Sequence, residues 1–219
     1  MHKFIVMEGT DGSGKSTQID LLCRRFDSMG LKYKRLRFPR YDQPSSALLK
    51  MYLAGDFGEQ ADSVNPYAAS VFFSVDRFAS FRTDWQEAYE AGEIIISDRY
   101  TTSNAVHQAS KLSGSEREKF LDWLFDFEYR LLELPAPDKV LFLDVPAEET
   151  FKLIDKRHGA ADIHEKDHAY LQRCRENALD ICRRYGWDKI DCAGPQGLRT
   201  PEEINREVFE KIGQVLQIG

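Results

Sequence analysis

A three-layer α/β fold, with a five-stranded parallel sheet flanked by helices, is what this sequence predicts. Three observations predict it: short apolar runs alternate with longer amphipathic stretches, a glycine-rich loop follows the first run, and an Asp-Arg pair follows the third. The runs are Phe4–Met7, Tyr33–Phe38, Ile94–Ser97, Val140–Asp144 and the less apolar Lys189–Cys192. Nearly continuous apolar runs bounded by polar residues mark strands buried on both faces, as in a parallel sheet. Helical periodicity fills the gaps at about 14–29, 45–55, 65–91, 115–133, 147–157, 167–185 and 201–217. Several starts are marked chemically: Asn65 before Pro66, Ser113 and Ser115 before Glu116 and Glu118, and Thr200-Pro201-Glu202-Glu203. Two polar stretches, 41–64 and 158–168, read as insertions over the sheet. The second is either a mobile lid or a plain surface connection. No repeat or linker divides the chain, so a single domain over 1–219 is expected, with a lid segment at about 158–168.

The loop behind the first strand reads Gly9-Thr10-Asp11-Gly12-Ser13-Gly14-Lys15-Ser16. This G-x-x-x-x-G-K-[ST] pattern, between a strand and a helix, is the phosphate-binding loop in its required context. Glycine is needed because backbone N–H groups must wrap closely around an anion. Lys15 is placed to reach the β/γ-phosphates and the Ser16 hydroxyl to reach Mg²⁺. Thr17 continues into a helix whose N-terminus adds positive partial charge beneath the phosphates. Residues Gly9 to Thr17 are therefore expected to hold a nucleoside triphosphate, and the fold to be the three-layer P-loop NTPase type.

Composition narrows the partners. The chain is 42% hydrophobic and 30% charged, ordinary for a globular domain, and its net charge of −6 gives no global basic field for nucleic acid. Cations are instead local: Lys32, Lys34, Arg35, Arg37 and Arg40, then Arg77, Arg82 and Arg99. Part of the first group is explicable as the solvated face of an edge strand. The four cysteines show neither C-x-x-C spacing nor paired histidines, so zinc and redox readings fall away, and Cys174 and Cys182 read as small buried residues. No apolar stretch approaches membrane-spanning length and no leader pattern precedes the first strand, so a cytoplasmic location is expected.

Two further constellations carry chemistry. Asp98-Arg99-Tyr100 follows the run ending at Ser97, at the carboxyl end of a core strand. There a carboxylate can hold Mg²⁺, directly or through water, and an arginine can grip a phosphate; equally, the two can form a structural ion pair. Beside a phosphate-binding loop they supply what transfer between two phosphates needs, charge neutralisation and positioning. In the 65–91 helix, Phe73 and Arg77 are four residues apart and share a face. A ring for stacking beside a guanidinium for a base carbonyl would make a nucleobase site; the alternative is an ordinary core aromatic, as expected of Phe72, Phe78 and Phe81.

Taken in order, the loop with its internal Asp11, Arg37-Phe38-Pro39-Arg40-Tyr41, Phe73-Ser74-Val75-Asp76-Arg77, and Asp98-Arg99-Tyr100 with Ser103-Asn104 resemble the thymidylate kinase family of nucleoside monophosphate kinases. The resemblance covers nearly the whole chain. It implies transfer of phosphate from Mg-ATP to dTMP, a step of dTTP synthesis, by a homodimeric enzyme. It further implies that Lys15 and Ser16 bind ATP phosphates and Mg²⁺, with Asp98 helping to organise the metal. Asp11 would accept a hydrogen bond from the 3′-hydroxyl of dTMP, Phe73 stack on thymine, Arg77 bond a base carbonyl and Arg99 hold the dTMP phosphate. Phe38 and Tyr41 would line the acceptor site, with Asn104 near the base, His107 at the sugar edge and Arg157 over adenine.

Some family members carry an arginine beside the loop's acidic residue, where this chain has Gly12; others supply one from the lid, yet 158–168 contains none. The cation at the transferring phosphoryl is therefore expected from Lys166, with Arg157 and Arg173 as alternatives. Two rival readings remain: a kinase for another nucleoside monophosphate or a deoxynucleoside, and a P-loop regulatory NTPase that signals by conformation.

Overall fold

The computed structural model describes residues 3–146, 148–150, 167–195 and 197–216. In chain order the elements are β1 (Lys3–Gly9), α1 (Lys15–Ser28), β2 (Tyr33–Arg37), α2 (Ala47–Ala54), α3 (Pro66–Ser80), α4 (Gln86–Glu90), β3 (Ile94–Asp98), α5 (Thr101–His107), α6 (Gly114–Phe125), β4 (Lys139–Asp144), α7 (His168–Tyr185), β5 (Asp188–Asp191), β6 (Ala193–Gly194), β7 (Gly197–Leu198) and α8 (Pro201–Leu216). The first five strands form one parallel sheet in the order β2-β3-β1-β4-β5, and β6 and β7 pair as a small antiparallel hairpin that the sequence did not predict.

The alternation of side chains across the sheet builds two cores, because successive Cβ atoms point to opposite faces. Ile5, Met7, Ile94, Ile96, Leu141 and Leu143 meet Ile19, Leu22 and Phe26 of α1 and Val208, Ile212 and Leu216 of α8. On the other face Phe4, Val6, Ile95 and Val140 meet Phe81, Trp85 and Tyr100, while Phe142 packs on Tyr170, Cys174 and Ala178. Each large side chain buried this way contributes about 1.5–3 kcal/mol relative to exposure. All four cysteines are buried and free, Cys174 and Cys182 among them as expected of small buried residues.

The caps explain where helices begin. Asn65 accepts from the Ala68 N–H at 2.9 Å, Asp167 from the Tyr170 N–H at 2.8 Å, and Thr200 and Glu203 form a reciprocal capping box at 2.9 and 3.3 Å. Ser113 sits at the N-cap of α6 but makes no capping bond, and the helix starts at Gly114. The stretch expected as one helix over 65–91 is α3 and α4 joined by a single π-type turn at Phe81–Trp85, and a similar turn at Asp126–Leu131 extends α6. Phe81 is buried as expected, but Phe78 is 41% exposed, on the solvent-facing side of α3. The lid proposed at 158–168 lies outside the described residues except for Asp167 and His168.

Topology places the site. In this strand order the chain leaves β1 toward one edge of the sheet and later returns to build the other, so a crevice opens at the carboxyl ends of β1 and β3. Met7 lies opposite Asp98 in the register, the Arg99 N–H bonds the Met7 carbonyl at 3.1 Å, and the Phe38 N–H bonds the Asp98 carbonyl at 2.9 Å. Three sequence motifs far apart in the chain thereby converge on one edge.

Candidate active site

The glycine-rich loop has the backbone its sequence requires. Gly14, the residue before α1, has φ 84°, in the left-handed region that glycine enters without steric cost. At Gly9 a Cβ would lie 2.3 Å from Ser13 Oγ, so the loop closes tightly only because no side chain is there. Lys15 folds back over this loop, donating to the carbonyls of Gly9 and Thr10 at 2.9 Å each. Burial pushes its ammonium down to about 8, helped by the Arg99 charge and opposed by Asp11, Asp98 and Glu8. Thr10 and Ser13 are buried, Asp11 and Gly12 are half-buried, and Ser16 and Thr17 are exposed at the mouth of α1.

Next to the loop, Ser16 Oγ donates to Asp98 Oδ2 at 3.2 Å. These are hard oxygen donors side by side, and Mg²⁺ at such sites takes one or two protein oxygens and completes its shell with phosphates and water. The pair fits that ion. Among the described residues there is no cluster of three or more His, Cys, Asp or Glu that could cage a metal alone.

Arg99 is the pivot. Its φ of 67° is unusual for a non-glycine residue. The guanidinium donates to Asp11 Oδ1 at 2.6 Å and to Ser103 Oγ at 3.1 Å, and lies 4.0 Å from buried Glu8. Burial lowers its pKa, but Asp11, Glu8 and Asp98 outweigh burial and raise it, so its charge is secure. His107 Nε2 stands 3.2 Å from Arg99 Nη1. Arginine only donates, so in this contact Nε2 is the accepting atom.

A cleft with about 540 Å³ of space, open solvent at its mouth included, lies beside Arg99; Asp11, Phe38, Tyr41, Phe73, Arg77, Asn104 and His107 are among the residues that border it. Every dTMP-binding residue expected from the sequence is brought to this cleft. Phe73 stands edge-on to Tyr52 with ring centroids 6.2 Å apart, and Tyr41 is exposed at the rim. Asn104 Nδ2 and Gln108 Oε1 are buried, border the cleft, and have no hydrogen-bond partner among the described residues. A buried unpaired donor and acceptor cost stability unless a ligand completes them. Of the remaining expected residues, Arg157 and Lys166 lie outside the described residues, and Arg173 pairs with Asp62 at 3.3 Å on an exposed surface.

The supporting carboxylates were missed by sequence reasoning. Glu8 is fully buried and takes hydrogen bonds from Thr102 Oγ1 at 2.6 Å, Ser103 Oγ at 2.8 Å and the Tyr100 N–H at 3.2 Å. Burial raises its pKa, with Arg99, Thr102 and Ser103 opposing. A charged residue closing an apolar strand run was its one available signal. Asp76 accepts from the Arg40 N–H at 2.9 Å and Ser45 Oγ at 2.6 Å, anchoring the Phe-Pro-Arg segment to α3. Glu128 engages Arg77, 51 residues away in sequence, and no local pattern pointed to it. The cations on β2 are largely surface pairs, Lys34 with Asp84 at 2.7 Å and Arg35 with Asp20 at 2.5 Å.

A phosphate-binding loop on a parallel sheet, beside an arginine-bearing cleft at the next strand, defines the class of P-loop phosphotransferases. The family model described as Thymidylate kinase matches residues 7–204. A thymidylate kinase of Mycobacterium tuberculosis is 36% identical over 145 residues, 66% of this chain and 66% of that one, so the alignment spans just under two thirds of that relative. A probable thymidylate kinase of Thermococcus kodakarensis is 30% identical over 97% of this chain and 98% of its own length. A solved thymidylate kinase structure from Candida albicans, 23% identical, superposes with a TM-score of 0.73 over 100% of this chain and 94% of that one, which shows a shared fold. The chain belongs to the thymidylate kinase family.

Proposed function

We propose that this protein transfers the γ-phosphoryl group of Mg-ATP to dTMP, giving ADP and dTDP for dTTP synthesis. The observation that carries the reading is the 2.6 Å ion pair between Asp11 of the phosphate-binding loop and Arg99 of the cleft, which joins donor and acceptor sites at one point. Lys15 leaves its own loop carbonyls for the ATP phosphates, and the N-terminus of α1 supports them from below. Mg²⁺ held at Ser16 and Asp98 would neutralise charge on those phosphates. On the acceptor side Arg99 holds the dTMP phosphate, Asp11 accepts a hydrogen bond from the 3′-hydroxyl, Phe73 stacks on the base and Arg77 donates to a base carbonyl. Phe38 and Tyr41 wall the site, and Asn104 completes the base edge. His107 closes the sugar side while its Nε2 holds Arg99. The acceptor phosphate is already anionic at neutral pH, so in-line attack needs no general base; alignment and charge neutralisation do the work.

With Gly12 in the loop, we assign the cation at the transferring phosphoryl to Lys166 of the lid, with Arg157 and Arg173 as alternatives and Arg157 also placed over adenine. We further propose a cytoplasmic homodimer packed through α3. Among the described residues no helix is long and apolar enough to cross a membrane.

The test is ADP release with Mg-ATP against dTMP, dUMP, UMP, CMP, AMP and thymidine. Turnover of dTMP at least about tenfold above the others is expected, since a site built to pair polar groups rejects acceptors that leave them unpaired. Equal rates with AMP or CMP would overturn the reading, and ADP release indifferent to any acceptor would favour a regulatory NTPase. In the same assay Lys166→Ala should lose on the order of 10²-fold in turnover; unchanged turnover would move the role to Arg157 or Arg173.

A further inference from the structure

The Arg77 side chain is buried at 2% exposure and the Glu128 side chain at 0%; they form an ion pair in which Arg77 borders the cleft and Glu128 does not. The pair is a side-on fork: Arg77 Nε donates to Glu128 Oε2 at 2.7 Å and Arg77 Nη2 donates to Glu128 Oε1. Two hydroxyls lock the carboxylate in turn, Ser74 Oγ at 2.7 Å on Oε1 and Thr101 Oγ1 at 2.5 Å on Oε2. Glu128 thus receives four donors and has no freedom to rotate. The guanidinium, rigid and planar, is fixed with it. Burial lowers the arginine's pKa and Glu128 more than restores it, so the charge persists. With Nε and Nη2 engaged, Nη1 is the remaining edge; its one hydrogen-bond partner among the described residues is the Tyr100 carbonyl at a long 3.4 Å.

We infer that Glu128 is a positioning residue for base selection: it holds Arg77 so that Nη1 presents a donor to the one base carbonyl that cytosine replaces with an amino group. A donor fixed in a buried wall attracts a carbonyl and repels an N–H, and rotation cannot relieve the mismatch because Nε and Nη2 are committed. Ser74 and Thr101 serve the same end through Glu128. The four residues come from α3, the start of α5 and the turn that extends α6, so the selecting edge is set by packing of three elements and not by the cleft surface alone. The inference rests on dTMP being the acceptor.

The test is steady-state kinetics of Glu128→Gln and Thr101→Val with dTMP and dCMP as acceptors and ATP saturating, beside the KM for ATP. Glu128→Gln should raise the dTMP KM roughly tenfold or more, leave saturating kcat within about threefold, leave the ATP KM unchanged, and cut the dTMP-over-dCMP ratio of kcat/KM by about tenfold. Thr101→Val removes one hydroxyl and keeps the ion pair, so it should move the dTMP KM and the ratio the same way by about threefold. If Glu128→Gln does not fold, Thr101→Val decides. Unchanged dTMP KM and unchanged ratio in a folded variant would overturn the inference, as would a fall in kcat with both unchanged. A wild-type enzyme that uses dTMP no better than dCMP or AMP would defeat the acceptor assignment itself, a result separable from failure of the variants.

Discussion

Arg99 holds its guanidinium in place from a backbone conformation that an arginine adopts only under constraint. A residue in the left-handed region costs about 1–3 kcal/mol unless its surroundings fix it, and here the N–H to Met7 and the contacts to Asp11, Ser103 and His107 do so. Three differently directed partners require a fork of donors, which an ammonium on a flexible stem does not provide. Arg99→Lys should therefore lower kcat/KM for dTMP on the order of 10²-fold while the ATP KM and the circular dichroism spectrum stay as in the wild type. A loss below about threefold would show that a point charge suffices and that the fork is structural. At this scale the sequence was most legible where function needs a residue type next to a strand end: Lys15, Ser16, Asp98 and Arg99 all stand where their motifs put them. It was least legible for carboxylates such as Glu128 and Asp76, whose partners are assembled by the fold and leave no spacing to read.

The helices and strands were read well because burial imposes a period. All five sheet strands fall on the expected apolar runs, and Asn65 and Thr200 cap helices where their side chains predicted. What the period conceals is which side of a helix faces the protein. The aromatic run of α3 has one residue at the cleft, Phe73, and another, Phe78, directed outward with Val75 at 41% and 48% exposure. Val71, Val75 and Phe78 follow one another at helical spacing, so they form a single apolar stripe on the surface. A stripe of that kind on a helix already committed to the core through Ala69 and Ser74 matches the proposed contact with a second copy through α3. Phe78→Asp places a charge in the middle of it. Sedimentation should show a wild-type dimer and a Phe78→Asp protein whose dimer dissociation constant is raised on the order of 10²-fold or more. A monomeric wild type, or a variant as dimeric as the wild type, would remove α3 from the interface.

Across the whole molecule, the strand order brings the loop, the Asp-Arg pair and the Phe-Pro-Arg segment to one edge, and the segment from α2 to α5 closes the cleft over them. That closure is held by Lys111, which donates to the Tyr52 hydroxyl at 3.0 Å and to the Val64 carbonyl at 3.3 Å, tying α2 and the loop before α3 to the chain beyond α5. No motif marked Lys111, since its partners are a phenol and a backbone carbonyl. Burial pushes its ammonium down to about 8, with Asp62 and Cys174 opposing. Between that value and about 10.4, its ordinary pKa, the unfolded chain keeps the proton and the folded one releases it. Stability therefore rises with pH through this window. Below it both states carry the charge and the cost of burying it is present in full. Lys15 acts with the same sign. The thiols of Cys174, Cys182 and Cys192 act against it above pH 9, because burial raises each to about 12 and the unfolded chain ionises first. The comparison that isolates Lys111 is thus between wild type and Lys111→Met, which keeps the buried chain and deletes the titration. Thermal midpoints measured from pH 7.5 to 9.5 should show the wild type gaining steadily on the variant as pH rises. Parallel curves would mean that Lys111 keeps its ordinary pKa in the folded protein and that the closure over the cleft is not built on a buried charge.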